Sequence, residues 1–243
     1  MNKTVKAILG VACIALLTLG SVSGQTTVTV DPNAPAGWIG YMNVWSLPGS
    51  GSYPPNLGGY IFGEPWGTAA LCANFAGPVL TLSPNSVNDS SSFWYISTSS
   101  PSIANVLCDA SMYVQNDSLA GQTVTFTGDV LSDTLTLANN PGNVNPLGDG
   151  WTSVVFIKDF NASYSLVGEA DIPIAPGDFS ISLATNPGDH IQYGFETIGP
   201  CVWATDPTLP GYGNIEIIPE PSSIGLVLTG LIGLVPFVWK RRS

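Results

Sequence analysis

The chain has 243 residues, 17 of them acidic and six basic, and a formal charge of −11. Five of the six bases lie near the ends, at Lys3, Lys6, Lys240, Arg241 and Arg242, so residues 25–218 carry sixteen acids against Lys158 alone, a formal charge of −15. Such a surface repels phosphate backbones and excludes nucleic-acid binding, and it is long enough to bury a core without relying on disulfides.

At the N-terminus, Lys3 and Lys6 precede an apolar run over residues 7–19, and the small residues Gly20, Ser21, Ser23 and Gly24 follow. Basic, apolar and small segments in that order predict a secretory signal peptide over residues 1–24, read by the Sec translocon and cut before Gln25. Cys13 sits inside the apolar run without the leading leucine of a lipoprotein signal.

Residues 25–218 read as one all-β domain, a β-sandwich. In the first half, short strands are expected over 26–30, 38–47, 60–62, 69–73, 93–97 and 106–115, with a Gly/Pro/Ser loop over 48–59. In the second half the alternation is clearer. Val124 and Phe126 alternate with threonines, Leu135 and Leu137 do the same, Phe179, Ile181 and Leu183 alternate with serines, and Ile191, Tyr193 and Phe195 alternate with Gln192, Gly194 and Glu196. Each is the period-two pattern of a half-buried strand. Residues 154–157 form a continuous apolar run, as in a strand covered on both faces, and 214–218 closes the series. Pro-Gly pairs at 141–142, 176–177, 187–188 and 210–211 punctuate the gaps. Many short strands at regular spacing with no helical period indicate a sandwich or barrel.

Stacking a sugar ring needs exposed aromatics with neighbouring amides or carboxylates to fix its hydroxyls. Tyr41 and Trp45 share strand parity, and Trp66 and Trp203, beside Gly and Pro, are expected on loops; these four are the candidate glycan-binding residues. Asn139, Asn143 and Asp149 form an oxygen-rich stretch that is the candidate Ca²⁺ site, without the spacing of an EF-hand. His190 is the sole histidine and is expected at the surface. There is no nucleophile elbow, HExxH or phosphate-binding loop. Glu64, Glu169, Glu196 and Glu216 are the carboxylates that a glycosidase pair would draw on, Glu196 standing on the face opposite Tyr193 and Phe195. No catalysis is expected. Cys72, Cys108 and Cys201 leave room for one disulfide and one spare thiol, the pairing open.

The C-terminus carries Pro219-Glu220-Pro221, an uncharged apolar span over 222–239, and the basic cluster Lys240-Arg241-Arg242. Eighteen helical residues span about 27 Å, close to a hydrocarbon core, and the basic cluster holds the end on the cytoplasmic side. These three parts in this order resemble the PEP-CTERM sorting signal over residues 219–243. The resemblance implies an exosortase-type membrane enzyme that processes the tail, a Gram-negative bacterial host that makes exopolysaccharide, and a product first anchored in the membrane and then placed at the cell surface or in the matrix. The middle of the chain also resembles jelly-roll carbohydrate-binding modules, on the segments 121–126, 176–183, 191–195 and 214–218. That resemblance implies a jelly-roll-like sandwich, association with polysaccharide and a structural Ca²⁺. A structural surface protein without a ligand, or a glycan-active enzyme, are the alternatives.

Overall fold

The computed structural model describes residues 24–47, 58–136 and 151–220. In chain order its strands are β1 (Gln25–Thr29), β2 (Ile39–Ser46), β3 (Tyr60–Trp66), β4 (Ala73–Ala76), β5 (Val79–Leu82), β6 (Ser86–Val87), β7 (Tyr95–Ser97), β8 (Ile103–Ala104), β9 (Val106–Gln115), β10 (Thr123–Asp133), β11 (Thr152–Phe160), β12 (Leu166–Pro173), β13 (Gly177–Ala184), β14 (His190–Pro200), β15 (Val202–Trp203) and β16 (Ile215–Ile218). Among the described residues the only helical pieces are short 3₁₀ turns, so the fold is all-β.

Two six-stranded sheets hold most of the chain. One is antiparallel throughout, in the order β12-β11-β14-β9-β2-β3. The other is built on β10. β13 lies along one edge of β10, while β1 and β16 share its other edge end to end: β1 runs parallel beside Thr123–Thr127, and β16 antiparallel beside Asp129–Asp133. β5 and β4 continue that sheet beyond β16.

Both sheets turn their apolar faces into one core. Val124, Phe126 and Val130 of β10 meet Ile191, Tyr193 and Phe195 of β14, because every second residue of a strand points the same way. Phe126 is the hub, with ring centroids 5.3 Å from Phe179, 5.1 Å from Tyr193 and 5.6 Å from Phe195. Trp38 stacks on Phe195 from the β2 side at 6.0 Å. The arrangement is sandwich-like.

Three local expectations are corrected. Residues 69–73 do not form a strand: Thr68–Leu71 is a 3₁₀ turn that buries Leu71 and ends at Cys72 in the left-handed region, φ 59°. The Ala-Ala-Leu sequence there lacks the β-branched or aromatic residues that favour a pleat. β10 does not resume at 135–137 either. It stops at Asp133, whose carboxylate accepts from the Leu135 backbone N–H at 3.2 Å, while the Thr134 and Thr136 N–H groups donate to the Asn214 and Tyr212 carbonyls outside any regular strand; residue 137 lies outside the described residues. Trp66 and Trp203 are not loop residues but the last residues of β3 and β15, half-buried against the core.

The three cysteines of the domain are free thiols. Cys108 and Cys201 are wholly buried with their side chains in hydrogen-bond contact, and Cys72 Sγ lies 3.1 Å from Ser86 Oγ. The expected signal peptide, except Gly24, the candidate Ca²⁺ ligands Asn139, Asn143 and Asp149, and everything from Pro221 onward, including Lys240, Arg241 and Arg242, lie outside the described residues. Pro219 and Glu220 follow β16 directly. Among the described residues no helix is long and apolar enough to cross a membrane, and no group of His, Cys, Asp or Glu is placed to hold a metal ion.

Candidate functional site: an aromatic groove on the outer sheet face

Midway along β14 the residues that do not face the core are Gln192, Gly194 and Glu196, and their neighbours in register line up as rows across the sheet's outer face. One row runs Tyr41, Ser111, Glu196, Val154. The next runs Ile39, Tyr113, Gly194, Phe156, and the third Gln115, Gln192, Lys158, Glu169. Gly194 therefore stands between two rings. A Cβ there would lie 2.1 Å from the Met112 carbonyl oxygen, so only glycine fits this close approach of β14 to β9. No side chain stands between the two rings at that point, and a depression lies in this face.

The depression has a volume of ≈ 460 Å³ and is lined by the rings of Tyr41, Tyr113, Phe156, Phe160 and Tyr164, by Pro65, and by the polar groups of Asn43, Ser111, Gln115, Gln192 and Lys158. Its polar groups are held in place. Gln192 Nε2 donates to Gln115 Oε1 at 3.1 Å, and Gln115 Nε2 donates to the Tyr164 hydroxyl at 3.2 Å. Tyr164 stacks on His190 at 4.3 Å, and His190 Nδ1 lies 2.8 Å from Asp117 Oδ2. The expected surface histidine thus props one wall of the groove.

The charges form one linked set. Lys158 Nζ lies over the Phe156 ring at 4.4 Å and reaches along the face to Glu196 Oε2 at 2.6 Å, with Glu169 Oε1 at 3.6 Å. Ser111 Oγ donates to the same Glu196 oxygen at 3.3 Å. Burial works against the Lys158 ammonium, but Glu196, Glu169 and Asp109 outweigh it and hold its pKa above the usual lysine value. Beside this set, Asp109 is 6% exposed; its Oδ2 accepts from Asn43 Nδ2 and Trp45 Nε1, both at 3.3 Å, while Oδ1 has no partner among the described residues. Burial, and then the charge of Glu196, push the Asp109 carboxyl up to about 7, against the pull of Lys158 and the two donors. Burial also raises Tyr41 and Tyr113, so both keep their phenolic protons and can donate as well as accept.

Of the four sequence candidates, the structure brings Tyr41 into the groove and sets Trp45 on the same face, its indole committed to Asp109 and its ring edge-on to Tyr60 at 5.2 Å. Trp66 and Trp203 are elsewhere. Trp66 Nε1 donates to Glu64 Oε1 at 2.9 Å, and Trp203 packs edge-on against Tyr95 at 5.5 Å. Tyr113, Phe156, Phe160 and Tyr164 were missed. The alternation of Gln192, Gly194 and Glu196 marks the outer face in the sequence, but the register that sets Tyr113 and Phe156 beside Gly194 does not appear there.

No protein-family model matches the chain, and no curated protein does. Among solved structures it is similar to the crystal structure of the enzymatically active domain of bacteriophage CBA120 tailspike protein 4, at 10% identity and a TM-score of 0.32 over 76% of this chain and 19% of that one. A likeness that faint bears on neither fold nor activity.

Proposed function

We propose that this is an exported protein of the cell surface or extracellular matrix whose domain binds polysaccharide in the groove on the outer face of β11, β14, β9 and β2. The observation that carries the reading is the groove itself: five rings and five polar side chains converge on one depression. Pyranose rings present C–H faces to aromatics and hydroxyls to amides, which is the complement of this lining.

The sandwich is of the jelly-roll kind. In support, the chain passes between the sheets from β5 to β9, β10, β11–β12, β13, β14 and β16, giving the orders β5-β16-β10-β13 and β9-β14-β11-β12, which are two interlocked Greek keys. Binding rather than hydrolysis is the proposed activity, because no carboxylate lines the groove and Glu196 and Glu169 beside it both hold Lys158. The tail after Ile218, with its Pro219-Glu220-Pro221 motif, is proposed as the substrate of an exosortase-type enzyme after Sec-dependent export.

Affinity electrophoresis through gels cast with soluble polysaccharides tests the binding claim. Retardation is expected for the wild type and is weakened by Tyr41→Ala, with Kd raised about tenfold, whereas Trp203→Ala leaves it unchanged. Wild-type migration unaltered in every gel overturns the reading.

A further inference from the structure

The groove is electrically silent, and that limits what it accepts. Of its eleven lining residues, Lys158 alone is charged. That charge is spent inside the protein, on Glu196 at 2.6 Å and Glu169 at 3.6 Å, neither of which lines the depression. The remaining polar groups, Asn43, Ser111, Gln115, Gln192 and the tyrosine hydroxyls, are neutral donors and acceptors.

From this arrangement we infer that the groove selects uncharged polysaccharide: chains of hexose, pentose or N-acetylhexosamine that carry no carboxylate, sulfate or free amine. The inference rests on the glycan-binding reading above and narrows it. A carboxylate or sulfate entering the groove would lose its hydration and find no free cation in return, since Lys158 could turn to it only by abandoning Glu196 in a poorly hydrated place. The surrounding domain, with Lys158 as its one base against sixteen acids, repels such a chain before it arrives. An amine-bearing chain is drawn by that field but meets no carboxylate in the lining to hold its ammonium. An uncharged chain gives up only hydroxyl and amide hydration, and the seven amides and hydroxyls on the walls, three of them from tyrosines, replace it.

The test is a panel of gels that differ in ligand charge, run at low and at high salt. A β-glucan, a galactomannan, an arabinoxylan and a soluble acetylated chitin form the uncharged arm; alginate and polygalacturonate form the anionic arm; chitosan is the cationic arm. The expected result is retardation in at least one uncharged gel, of equal strength at both salt levels, with none in alginate or polygalacturonate. Any retardation in chitosan should vanish at high salt, as a surface attraction would. Tyr164→Ala, at a side chain 56% exposed and so tolerant of removal, should weaken the uncharged binding about tenfold even if Tyr41→Ala fails to fold. Retardation confined to the anionic gels, or salt-resistant retardation confined to chitosan, overturns the selectivity and leaves the glycan reading standing. No retardation in any gel overturns the glycan reading itself.

Discussion

Asp109 is the residue at which burial and charge conflict most openly. Its carboxyl is pushed up to about 7, above the usual 3.8, first by burial and then by Glu196. In the unfolded chain it ionises near its usual value. Between about pH 4 and pH 7 the folded form therefore binds one more proton, and stability falls as pH rises through that window. Asp109→Asn keeps an acceptor for Asn43 and Trp45 and removes the ionisation. The variant should show a flatter dependence of Tm on pH from 4 to 7.5 and a higher Tm than wild type above pH 7, measured by thermal scanning; parallel curves for the two proteins would refute it. Phe126, wholly buried among three rings, belongs to the opposite case. Phe126→Ala should lower stability by about 3–5 kcal/mol in chemical denaturation.

The strands differ in how plainly the sequence announces them. β10, β13 and β14 alternate apolar with polar or small residues because one face of each enters the core while the other carries hydroxyls, amides or glycine, and these were legible. β12 was not. It is the last strand of its sheet and leaves Leu166 and Val167 about half exposed; from Gly168 it alternates with Glu169, Asp171 and Pro173 outward, but two of its three inward residues, Gly168 and Ala170, are too small to give an apolar signal. β5 is only four residues, too short to show a period, yet it lies between β16 and β4. Four of the groove's five rings were hidden in the same way. Tyr41 and Trp45 share a face by spacing alone, whereas Tyr113 and Phe156 come together only through the pairing of β9, β14 and β11, which spans long stretches of chain. The cysteines add a case where structure chooses among open options. Cys108 on β9 faces Gly199 near the end of β14, and Cys201 follows two residues later with its thiol against that of Cys108. Oxidation of the native protein by a small-molecule disulfide should join these two and leave Cys72 as the single titratable thiol. Mass mapping of the joined peptides checks this, and a bridge involving Cys72 would contradict it.

Across the whole molecule, one apolar core between two sheets fixes the groove on the far side of one of them. The same strands serve both: Tyr193 and Phe195 of β14 hold the core while Gln192, Gly194 and Glu196 of that strand shape the outer face. A change at the core side of β14 is therefore expected to reach ligand affinity through strand position rather than contact.

The placement of β16 has a mechanical consequence. It lies between β10 and β5, hydrogen-bonded along both edges, and the chain leaves it at Ile218. A tether attached downstream of that point pulls on a strand flanked on each side, so the load falls on two ladders in shear at once instead of opening one of them bond by bond.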